Sequence, residues 1–203
     1  MEIQVNRLDD AYKSANYLNS KTLETSKKLS SQFEEIINNI KIHWVGADAS
    51  NFINRCIDEY ERYSTYFSSL NGTVNYIQNY FVSLQECRAK TSNITNIGDS
   101  ADSVCEFNRL QKMETTNEYS YDEQLKRDYF DLSQLNSIYD RYIGTLENYT
   151  GQIFSNWIVG TGRNEMESQL QELITVSREL SKEFHILNND FSTILRNTLK
   201  IDY

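Results

Sequence analysis

Apolar side chains recur along this chain at steps of three and four residues, in four separate runs. The clearest is Phe52, Cys56, Tyr60, Tyr63, Phe67, Leu70, Val74, Ile77, Phe81 and Leu84, one continuous stripe when wound at 3.6 residues per turn. No strong breaker interrupts it before the polar stretch after residue 90, since Gly72 costs only about 1 kcal/mol in so long a helix. Upstream, Leu18, Thr22, Leu29, Phe33, Ile36, Ile40 and Trp44 mark a first helix over about residues 6–43. Leu132, Leu135, Tyr139, Tyr142, Leu146, Tyr149 and Ile153 mark a third. Met166, Leu170, Leu173, Leu180, Phe184, Leu187, Phe191 and Ile194 mark a fourth, running to about Leu199. The pattern predicts four long amphipathic helices.

The first two helices meet at Trp44-Val45-Gly46-Ala47-Asp48, where Gly46 can take the positive φ that ends one helix and Asp48 can cap the next. The last two meet at Trp157-Ile158-Val159-Gly160-Thr161-Gly162, with Thr161 as the corresponding cap. A shift of 113 residues pairs Leu29 with Tyr142, Phe33 with Leu146, Ile40 with Ile153 and Trp44 with Trp157. Past the turns a shift of 114 pairs Phe52 with Met166, Cys56 with Leu170 and Phe81 with Leu195, although Val74 meets Asn188 and Phe67 meets Ser181. Two hairpins, each folded at a Trp and a Gly, suggest an internal duplication. The expected fold is all-α: two long antiparallel helical hairpins forming an elongated four-helix bundle. Residues 1–92 make the first hairpin, 93–117 a linker and 118–203 the second. The linker collects Asn, Ser, Asp and Thr around Gly98 and is expected to hold one short helix near Val104–Met113. Its 25 residues reach about 80 Å when extended, enough to carry the chain back along a helix, so antiparallel docking of the hairpins is favoured.

Composition narrows the class further. With no proline and seven glycines, a fold built from many tight turns is excluded, and 14 Tyr with 9 Phe supply bulk for a core. The 20 Lys and Arg against 29 Asp and Glu give a net charge of −9, which argues against a nucleic-acid surface or an anionic membrane. No apolar run is long enough to span a bilayer, and MEIQVNRLDD lacks the features of a signal peptide. Cys56, Cys87 and Cys105 have no CxxC spacing and read as reduced packing residues.

Catalytic patterns are missing. Di-iron bundles need Glu-x-x-His pairs, but the residues three before His43 and His185 are Ile40 and Lys182. HExxH, GxSxG and phosphate-loop strings do not occur. Gly160-Thr161-Gly162-Arg163 reads as a glycine elbow with an exposed Arg, and His43 as a surface or capping side chain. No catalytic residue, metal or cofactor is expected, and the chain reads as a non-enzyme.

A helix, a Trp-x-Gly elbow and a second amphipathic helix, here Trp44 and Gly46 in WVGADASNF with Ala49 and Phe52 following, resembles the WXG (ESAT-like) family. These are small helical hairpins exported by type VII secretion systems of Gram-positive bacteria. The second elbow departs from the motif, with two residues between Trp157 and Gly160. The resemblance implies two hairpins paired antiparallel, here fused in one chain; LXG-type targeting domains of secreted toxins are also of about this length. It further implies an export signal made of the elbow of one hairpin beside a Tyr-x-x-x-Asp/Glu segment, for which Tyr119 to Glu123 matches. Under antiparallel docking that segment would lie near the first elbow.

The resemblance implies a type VII substrate, or a targeting or chaperone partner of a secreted toxin, leaving the cell without a signal peptide or residing in the cytoplasm before export. Its partners would be proteins: the secretion ATPase, a toxin or another WXG-like hairpin, in a homo- or heterodimer. The alternative is a cytoplasmic adaptor bundle in which Trp44 and Trp157 merely pack. Ile53, Ile57, Tyr66, Tyr76 and Tyr80 lie beside the stripe of the second helix, and either widen the core or meet a partner helix. A buried Trp at each elbow would direct its indole N–H to solvent or a carbonyl.

Overall fold

The computed structural model describes residues 2–92, 97–158, 160 and 162–201. The chain is all-α: α1 (Glu2–His43), α2 (Ala47–Ser92), α3 (Leu125–Asn156) and α4 (Arg163–Thr193), followed by one π-turn (Ile194–Thr198). A two-residue antiparallel ribbon, β1 (Trp44–Val45) with β2 (Ser120–Tyr121), joins the first elbow to the segment before α3. No helix among the described residues is long and apolar enough to cross a membrane.

The chain forms two compact units, each built from pieces of all four helices. One takes residues 1–24, 66–105 and 142–177; the other takes 25–65, 106–141 and 178–203. In the second unit Phe33 of α1 stacks on Phe184 of α4 (5.2 Å) and meets the edges of Tyr60 and Tyr63 of α2. Tyr63 in turn meets Tyr139 of α3 edge-on at 4.6 Å, so one aromatic cluster ties four helices. Arg55 near the start of α2 pairs with Asp190 near the end of α4 (2.6 Å), and His43 at the end of α1 pairs with Asp128 at the start of α3 (2.7 Å). Both contacts run antiparallel. The first unit repeats that sense: Tyr17 of α1 stacks on Tyr149 of α3 at 4.3 Å, and Thr22 meets the Tyr142 hydroxyl at 2.7 Å.

The predicted stripes are buried almost throughout, with Leu84, Tyr149, Leu173 and Ile194 the half-exposed exceptions. At the end of α4 the i to i+5 bond from the Leu199 N–H to the Ile194 carbonyl (3.0 Å) inserts one residue and rotates the stripe, so that Leu195 and Leu199 are buried.

Ile53, Ile57 and Tyr66 are buried in the core, with Ile53 and Ile57 at 0% exposure. They are therefore not a partner surface: a helix of a four-helix core faces two neighbours, and its apolar face widens accordingly. Tyr76 is exposed, and Tyr80 is half-buried against Trp157. Cys56 and Cys105 are buried thiols, whereas Cys87 is exposed and does not pack as expected; burial pushes the Cys56 thiol far above its usual range.

No helix forms at Val104–Met113. The described stretch 97–117 is an extended strap, and side-chain amides of α2 replace the ladder of a neighbouring strand. In the first unit Asn79 Nδ2 donates to the Ala101 carbonyl and Asn79 Oδ1 accepts the Ala101 N–H, both at 2.7 Å. Asn75 Nδ2 donates to the Ser103 carbonyl (2.7 Å), Gln78 Nε2 to the Asp99 carbonyl (3.0 Å), and Gln85 Oε1 accepts the Gly98 N–H (3.0 Å). In the second unit Asn54 makes the same double bond to Met113 (2.7 and 3.0 Å), and Phe107 caps Tyr60 edge-on at 5.3 Å. These strap backbone groups are thereby satisfied without a sheet. Gly98 permits the start of the strap: a Cβ there would overlap the Tyr12 ring.

Candidate functional site

The two elbows are built differently. At the first, Gly46 takes φ +141° and its carbonyl accepts the Ser50 N–H (2.9 Å), so Gly46 itself begins α2. Asp48 is then a first-turn acid and not the cap. Trp44 is fully buried against Phe52 (6.1 Å) and lies parallel to Phe191 (6.5 Å, 7°). Its Nε1 is buried with no partner among the described residues, so the indole N–H reaches neither solvent nor a carbonyl there. The ring acts as an apolar strut.

Over this elbow runs the segment before α3. Trp44 pairs with Tyr121 and Val45 with Ser120, and the Asp122 N–H donates to the His43 carbonyl (2.8 Å). Tyr119 lies on Gly46, its Cδ2 3.0 Å from where a Cβ would stand. The sequence-predicted residues Trp44, Gly46 and Tyr119 are thus brought together in one unit. Glu123 lies two residues past β2 with its side chain 81% exposed, 4.0 Å from Lys126. His43 Nδ1 meets Asp128 Oδ2, and burial pushes the Asp128 carboxyl up while its bond to His43 opposes the shift.

At the second elbow Gly160 (φ +155°) and Gly162 (φ +84°) reverse the chain, and the Gly162 carbonyl accepts the Met166 N–H (2.9 Å) to begin α4. The expected cap Thr161, like Val159, lies outside the described residues. Trp157 is buried between Tyr80 (4.9 Å), Phe81 (5.1 Å, edge-on) and Phe154 (5.6 Å, stacked). Its Nε1 also has no partner among the described residues. A Cβ at Gly160 would meet Tyr80 Oη at 2.6 Å. Arg163 is not a free surface cation: it donates from Nε to the Trp157 carbonyl and from Nη2 to the Phe154 carbonyl (2.9 Å), and pairs with Glu167. It closes the C-terminus of α3, satisfying carbonyls that the helix leaves open.

Sequence reasoning missed the strap contacts and the role of Arg163. It also missed Glu59, 6% exposed on α2 beside a cleft of about 220 Å³ lined by Arg55, Asp58, Arg62, Glu183 and Leu187. Glu59 Oε1 has no partner among the described residues, and burial pushes its carboxyl up to about 7. Asn71, Asn75 and Asn79, spaced by four on a helix where they are poor formers, are the signal that a strap lies alongside. Among the described residues no group of three His, Cys, Asp or Glu side chains stands close enough to hold a metal ion. No family model, curated protein or solved structure matches the chain.

Proposed function

We propose that this chain is a non-enzymatic type VII secretion protein, a fused pair of WXG-like hairpins that is either exported as a folded bundle or escorts a secreted toxin to the export ATPase. One observation carries the reading. The Trp-x-Gly elbow and the Tyr119–Glu123 segment, far apart in sequence, converge in one unit, with Tyr119 on Gly46 and Tyr121 paired to Trp44. A bipartite export signal needs that convergence. Because Trp44 is fully buried, the surface offered to the ATPase is the Tyr119 ring and the Glu123 carboxylate, with Trp44 holding the elbow angle from within. The second elbow, closed by Arg163 and packed on Tyr80, serves the fold.

The test is export from cells that lack the type VII ATPase. The reading predicts that the protein then accumulates inside the cell. Unchanged export would overturn the type VII reading, and a protein that stays in the cytoplasm with the ATPase intact and exports no toxin partner would favour an adaptor bundle instead.

A further inference from the structure

We infer that the outer edge of the ribbon at the first elbow is a docking edge for an extended basic segment of a partner protein, which adds to Tyr119–Tyr121 as a third strand. The bond from the Asp122 N–H to the His43 carbonyl makes Trp44 and Tyr121 the non-hydrogen-bonded pair of the ribbon. In such a ladder alternate residues turn their backbone groups to opposite sides. Ser120 and Asp122 face β1, so Tyr119 and Tyr121 present their N–H and C=O outward, with no partner among the described residues. Their side chains are exposed as well, at 57% and 46%, with ring centroids 6.0 Å apart.

Charge selects the occupant. Residues 114–123 carry Glu114, Glu118, Asp122 and Glu123 and no base. An open edge is usually blunted with lysine; this one is flanked by acids. A second copy would bring the same acidic segment and a net charge of −9, which opposes edge-to-edge pairing between like chains. A segment alternating Arg or Lys with apolar residues meets the carboxylates, and its cations can also lie over the tyrosine rings. This edge works whether or not the chain is exported, so the inference stands apart from the secretion reading.

The full chain is titrated with a short fluorescein-labelled peptide of alternating Arg and Val, an alternating Glu and Val counterpart, and the Arg-Val peptide methylated on alternate backbone nitrogens. The expected result is saturable, salt-sensitive binding of the basic peptide only, weakened about tenfold or more by methylation, which removes strand hydrogen bonds. Glu118→Lys combined with Glu123→Lys should lose the basic peptide while circular dichroism stays unchanged. No saturable binding, equal binding of the methylated peptide, or binding unmoved by the charge reversal would each overturn the inference.

Discussion

Tyr119 rests on Gly46 so closely that a methyl group there would stand 3.0 Å from its ring. The glycine has two reasons to be glycine: its φ of +141° and the ring above it. Gly46→Ala should cost about 1–3 kcal/mol through strain, read as a lower urea midpoint with release of Tyr119. Gly72, Gly144 and Gly151 lie inside helices with nothing within 4 Å of an added Cβ. Alanine at each should stabilise by about 0.5–1 kcal/mol in the same assay.

The Trp44 ring meets Phe52 and Phe191 through carbon. Trp44→Phe keeps a ring against Phe52 and Phe191 and removes an unpartnered buried N–H, whose desolvation costs about 1–3 kcal/mol. Its net destabilisation should fall well below the roughly 3–5 kcal/mol of Trp44→Ala. Chemical denaturation of the two variants checks the order.

The strap depends on amides and not on its own helix propensity. Asn54→Ala and Asn79→Ala each remove two bonds and leave a backbone N–H and C=O to find water. Amide exchange at Met113 should rise in the first variant and at Ala101 in the second, with a stability loss of about 1–3 kcal/mol each. Unchanged exchange would show that the strap is held by other contacts.

Glu59 sets a pH dependence. Its folded carboxyl is raised from 4.5 to about 7 by burial, with Arg62 opposing and Glu183 adding to the shift. As pH rises, the unfolded chain ionises first, so this group's contribution falls between about pH 4.5 and 7 and is flat above. The loss amounts to roughly 3 kcal/mol at full shift. Glu59→Gln should flatten that slope relative to the wild type and be more stable at pH 8, as measured by urea unfolding across the range.

The apolar stripes made the four helices and both turns readable, because a 3.6-residue period survives without knowledge of what covers it. Phe33, Tyr63, Tyr139 and Phe184 are core positions by spacing and core positions in space. The strap was not readable as a strap: its partners are side chains on α2, and the pairing of Asn79 with Ala101 leaves no periodicity in residues 97–117. The same limit hid the burial of Ile53 and Ile57, since one sequence shows how wide a face is and not how many neighbours it meets. Of the candidate site, the approach of Tyr119 to the elbow followed from antiparallel docking. The buried indoles, without an N–H partner among the described residues, did not, because a Trp at a turn carries no mark of where its N–H will point.

The joint surface of elbow and segment is tested most directly by export of Tyr119→Ala and Glu123→Gln, singly and together. Both side chains are largely exposed, so circular dichroism and urea midpoints should stay close to wild type. Export through the type VII system should fall sharply in both single variants and be abolished in the double, while the folded protein accumulates in the cytoplasm. Export of the double variant at the wild-type level would contradict that expectation.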